Sequence, residues 1–178
     1  MKRKLALAAL LCAMVVTALA LAVAPVASAK AEFMTYTGTE VYDALPNLVA
    51  ERITGRVAHL TFDNRLREES DSSSPLGTGL MYTHMNVVTF PVDGSWMLAT
   101  KGICYGSFRL ELDDEISAWE GVFTGTISMA GGTYDVTASG RGVSGEVAGM
   151  VLKARSVNTG GYESAALVTS TIIAPHGF

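Results

Sequence analysis

The run Ile103-Cys104-Tyr105-Gly106-Ser107-Phe108-Arg109-Leu110-Glu111-Leu112 decides the fold of this chain. Cys104, Phe108, Leu110 and Leu112 share one face, and Ser107, Arg109 and Glu111 share the other. Successive strand side chains point to opposite faces, so this period of two predicts an antiparallel strand, buried on one side and wet on the other. Asp113-Asp114-Glu115 closes it with charge.

The same alternation extends in both directions. Downstream, residues 119–129 set Trp119, Phe123, Ile127 and Met129 against Glu120, Thr124, Thr126 and Ser128. Gly131-Gly132 is a hairpin signal, and residues 133–140 then turn Tyr134, Val136 and Ala138 inward. Further strands are predicted over 145–154 and 164–174. Upstream, residues 34–42, 53–63, 79–90 and 96–100 read as strands, with Ala58, Leu60 and Phe62 facing in and His59 and Thr61 facing out. Pro91-Val92-Asp93-Gly94 predicts a tight turn. Residues 65–75 are the most polar stretch and read as an exposed loop. Val41 to Arg52 is the one helical candidate, and Pro46 breaks it. Eight or nine short strands joined by turns predict an all-β domain, a single antiparallel up-and-down β-barrel of about eight strands. Closure is favoured over a sandwich because it removes exposed edges.

Ahead of the strands stands a different kind of segment. Lys2, Arg3 and Lys4 precede an apolar run over 5–24, and Ala27-Ser28-Ala29 follows. Basic, apolar and small-x-small regions in that order predict a helical secretory signal peptide over 1–29, cleaved after Ala29. A secreted barrel domain over 30–178, extracellular or periplasmic, is then expected, with no stable membrane insertion after cleavage. Losing Lys2, Arg3 and Lys4 leaves 10 basic against 17 acidic residues, a net charge of −7 where the whole chain carries −4. An acidic surface repels nucleic acid, which is not expected as a partner. Cys12 leaves with the leader, so Cys104 has no partner for an intramolecular disulfide and is expected to be buried as a small hydrophobe.

Trp119-Glu120-Gly121-Val122-Phe123-Thr124-Gly125, Gly140-Arg141-Gly142 and Gly145-Glu146-Val147-Ala148-Gly149-Met150 resemble the final hairpins of secreted bacterial β-barrels similar to the allene oxide cyclase and dirigent barrels, shape relatives of the calycins. The loop ending in Pro75-Leu76-Gly77-Thr78-Gly79 is compatible with them. The resemblance implies a calycin-type barrel and transfers no catalytic residue. Gly121, Gly125, Gly140, Gly145 and Gly149 also have a reading of their own, since a strongly coiled small barrel needs glycine at its bends.

Chemical motifs are sparse. Gly140-Arg141-Gly142-Val143-Ser144-Gly145 matches a dinucleotide fingerprint in form, but a strand is expected after it instead of the required helix. His59, His84 and His176 lack zinc spacing. Asp71-Ser72-Ser73-Ser74 and Asp113-Asp114-Glu115 lack the calcium-loop form and read as a solvated loop and a charged strand end. No metal or cofactor is therefore expected, and no serine-nucleophile motif occurs. Two sets of residues are expected to line a lumen. Tyr82, His84 and Asn86 would supply polar groups, and Trp119, Phe123 and Tyr134 an apolar wall. The favoured function is a non-enzymatic module that binds a small apolar ligand or plays a structural part. The alternative is a cyclase- or dirigent-like enzyme, which requires Tyr82, His84 and Asn86 to face inward. Leu80, Tyr82, Val88 and Phe90 oppose an equally apolar face, so part of the outer wall is expected to be covered in a homo-oligomer.

Overall fold

Alternating apolar and polar residues do build strands here, and almost nothing else. The computed structural model describes residues 31–70 and 73–175, so the leader over 1–29, Asp71, Ser72 and His176 lie outside the described residues. Nine antiparallel strands form one sheet: β1 (Glu32–Tyr42), β2 (Asn47–Thr54), β3 (Val57–Ser70), β4 (Gly79–Thr89), β5 (Gly102–Leu112), β6 (Ala118–Ser128), β7 (Thr133–Ser144), β8 (Val151–Asn158) and β9 (Ala166–Ala174). Their spatial order is β1-β9-β8-β7-β6-β5-β4-β3-β2, and β1 also pairs with β3. That last pairing closes the ring. It runs from Gly38 opposite Ser70 to Tyr42 opposite Leu66. The other half of the β3 edge, from Val57 to Asp63, is taken by β2, which stays exposed along its whole length.

Inside the ring two apolar clusters form. One gathers Leu60, Phe62, Met85, Val87, Cys104 and Ile127, with Trp96 packed against it. The other gathers Leu76, Phe108, Leu110, Trp119, Leu152 and Ile172. Phe123 packs against both. Burial of such side chains, at about 25 cal/mol per Å² of apolar surface, is what holds the barrel without a disulfide. Cys104 is free and buried, as its neighbours implied.

Five local expectations are corrected. Residues 53–63 are two strands, since a two-residue turn led by Gly55 at φ 62° separates β2 from β3. The polar stretch from Arg65 is strand as far as Ser70, because Asn64, Leu66 and Glu68 alternate inward and are buried. Residues 96–100 form a 3₁₀ turn at Trp96–Leu98 instead of a strand. The turn before it is shifted by one residue, with Asp93 at φ 50° and Gly94 at φ 81° between the bridged Val92 and Ser95. A second 3₁₀ turn, Gly145–Val147, delays β8 to Val151. Among the described residues a 3₁₀ turn and then β8 follow Gly140-Arg141-Gly142, so the formal fingerprint lacks the α-helix N-terminus that would hold a pyrophosphate.

Candidate functional site in the barrel lumen

Strand parity sorts the expected site residues at once. In β4, Met81, Thr83, Met85 and Val87 face inward, so Tyr82, His84 and Asn86 face out. Tyr82 is 42 % exposed. The expectation that these three line the lumen is therefore corrected, and a lumen enzyme cannot use them. Phe123 and Tyr134 do line the lumen cavity. Trp119 faces inward but is fully buried within the second apolar cluster and does not reach the cavity.

On the outer face the register produces an arrangement that no sequence spacing announces. Asp63, His84 and Ser107 stand opposite one another on β3, β4 and β5. His84 Nδ1 lies 2.7 Å from Asp63 Oδ1, with both side chains more than half exposed. No hydrogen bond joins Ser107 to the imidazole among the described residues, and the ladder partners already occupy the strand backbone, leaving no pair of amide donors for an oxyanion. This row is a solvated, hydrogen-bonded His84–Asp63 pair. We expect Asp63→Asn to change urea-unfolding stability by no more than about 0.5 kcal/mol, as exposed pairs generally do. A loss above about 2 kcal/mol would contradict that assignment.

The cavity has a volume of about 90 Å³. Met81, Met85, Phe108, Phe123, Val136 and Leu152 supply its apolar wall. A glycine pair positions one of these. Gly121 and Gly140 are opposite residues of β6 and β7, and the Phe108 ring lies over both. A Cβ on Gly121 would come within 2.5 Å of that ring, so the bare backbone is what lets the aromatic lie there.

Polar groups enter the lumen mainly from β1 and β3. Glu40 and Glu68 are opposite residues in the closing pair, and both line the cavity. Glu40 Oε1 accepts the Tyr134 hydroxyl at 2.5 Å and the Ser156 hydroxyl at 2.8 Å. Burial raises the Glu40 carboxyl above its ordinary range, against the lowering effect of those two donors. Burial, and then the charge of Glu40, push Glu68 up to about 9. Glu68 Oε1 and Asn64 Oδ1 are buried with no hydrogen-bond partner among the described residues, while Asn64 Nδ2 donates to Thr83 Oγ1 at 3.0 Å. Desolvation raises the Tyr42 and Tyr134 hydroxyls as well, and burial holds the Cys104 thiol at about 11, far from a reactive thiolate.

Two of the acids singled out as calcium candidates, Asp113 and Asp114, are held by neighbouring groups. Asp113 forms a two-pronged pair with Arg67. Asp114 Oδ1 accepts the amides of Ile116 at 3.0 Å and Ser117 at 2.7 Å. Hydrogen bonding from the Ser117 side chain, and then from these amides, lowers the Asp114 carboxyl below the usual range.

Comparison of the chain with protein-family models, curated proteins and solved structures finds no match.

Proposed function

We propose that this barrel is a non-enzymatic binder that holds one small, mainly apolar molecule in its lumen. The observation that carries the reading is the cavity of about 90 Å³, walled by methionine, phenylalanine and aliphatic side chains. Small-molecule sites have that form, an apolar hollow with a few polar groups to fix orientation. Buried Glu40, Glu68 and Asn64 supply those groups. Hollows walled by apolar side chains accept xenon or small hydrocarbons. Xenon-saturated solutions of the full chain are therefore expected to shift the methyl NMR signals of Met81 and Met85, and to leave exposed Met97 unmoved. Unshifted Met81 and Met85 signals would mean that the lumen is a solid core, and the binding reading would fall.

A further inference from the structure

The lumen carboxyls narrow the ligand class, on the footing that the barrel binds a ligand there. Glu40 is 6 %, Asn64 6 % and Glu68 3 % exposed. Like-charged residues set directly opposite on paired strands destabilise a sheet, and an unpartnered buried oxygen adds a desolvation cost. Glu40 and Glu68 face each other, so ionising both would set like charges opposite, and Glu68 Oε1 is such an oxygen. The seat of the second carboxyl is formed by a missing side chain. A Cβ on Gly38 would lie 3.2 Å from Glu68 Oε1 and 2.7 Å from the Glu69 carbonyl oxygen.

Among the described residues, no lysine, arginine or histidine lines the cavity. The titratable groups that line it with Glu68 are Glu40 and Tyr42 from β1, Cys104 from β5 and Tyr134 from β7, and none of them carries positive charge. The lumen thus presents spare acceptors, two acids and no cation. An anionic ligand would find no counter-ion there. A neutral apolar ligand would leave Glu68 Oε1 unpartnered. A cationic head with several N–H donors on a short apolar body meets every condition, and charge-assisted hydrogen bonds are about twice as strong as neutral ones. At about 90 Å³ the cavity is smaller than the ~150 Å³ kind that takes benzene, which limits the body to a short aliphatic group.

We propose that the lumen binds a small aliphatic amine as its ammonium ion, with the Glu68 carboxylate as counter-ion. Free of ligand, Glu68 is protonated at neutral pH. Entry of the ammonium ion therefore sends the carboxyl proton to solvent, one proton for each amine bound, and no covalent bond to carbon changes.

Three probes of similar shape separate the outcomes: isobutylamine, isobutanol and isobutyrate, titrated into the full chain at pH 7. Isobutylamine is expected to bind at least about tenfold more tightly than isobutanol, with isobutyrate weakest. Calorimetry in buffers of differing ionisation enthalpy is expected to count about one proton released per amine. Glu68→Gln, which keeps the shape, is expected to abolish both the amine preference and the proton release while the Met81 and Met85 methyls still respond to isobutanol. Equal binding of amine and alcohol by the native protein, or amine binding without proton release, overturns the proposal and leaves lumen binding standing. Failure of every probe, xenon included, to shift those methyls overturns both.

Discussion

Lowering the pH from 9 to 5 is expected to stabilise the barrel, by on the order of 5 kcal/mol from Glu68 alone. The native carboxyl sits at about 9 against an ordinary 4.5. Below 4.5 both native and unfolded chains hold the proton, and the stability is fully present. Between those values the unfolded chain is ionised and the native one is not, so each pH unit costs about 1.36 kcal/mol. The loss is complete once the pH passes the native value. Glu40 shifts in the same direction and steepens the slope. Asp114 and Asp135 shift downward, so their contributions are lost only in acid, below the window. Cys104 is raised from 9.0 to about 11 and acts above it. Urea midpoints at pH 5, 7 and 9 are expected to fall steadily, with an unchanged slope against denaturant. Glu68→Gln should flatten that trend and be the more stable protein at pH 9. A chain as stable at pH 9 as at pH 5 would remove the case for a neutral buried acid. Stabilisation by Glu68→Gln with loss of amine binding would also show stability and ligand binding opposed at one residue.

The particular residues that misled sequence reasoning are those that build the site. Cys104, Phe108 and Leu110 were legible because a dry wall writes period two in apolar letters. The inward row Asn64, Leu66, Glu68 obeys the same period, yet two of its three members are polar, so the stretch resembles a loop. Hydrophobic alternation fails wherever a strand turns polar groups into a lumen. A partial signal was present in Leu66 at the right parity behind Phe62, but nothing local says that Asn64 and Glu68 are buried. Glu40 was hidden for a related reason. Its two hydroxyl donors come from Tyr134 and Ser156, far along the chain, and only ring closure brings them together. The error at β4 was one of parity. Met81 and Met85 are as apolar as Tyr82 and Val88, and with both faces greasy the inward set was assigned to the wrong side. Asn47–Thr54 was missed because every residue of β2 is exposed and carries no burial pattern at all.

Trp119→Ala is expected to cost about 3–5 kcal/mol of unfolding free energy, the range for truncating a buried aromatic. Trp119 is fully buried among Leu76, Phe108, Leu110, Val147, Leu152 and Ile172. Its removal leaves a void against β5, β8 and β9, the loop that carries Leu76 and the 3₁₀ turn that carries Val147. The indole also carries a penalty of its own, since Nε1 is buried without an acceptor. Trp119→Phe deletes that donor together with part of the ring, so the two effects oppose and the expected cost is no more than about 2 kcal/mol. Urea unfolding of the two variants at pH 7 measures the difference. The pair also tests where the lumen ends. Trp119 closes the apolar cluster without touching the cavity, whereas Phe123 lines it. Trp119→Phe is thus expected to leave the Met81 and Met85 response to xenon intact, and Phe123→Ala to alter it by enlarging the cavity. A Trp119→Ala cost below about 1 kcal/mol would mean that the cluster around it collapses freely, and the rigid wall required for a preformed lumen would be lost with it.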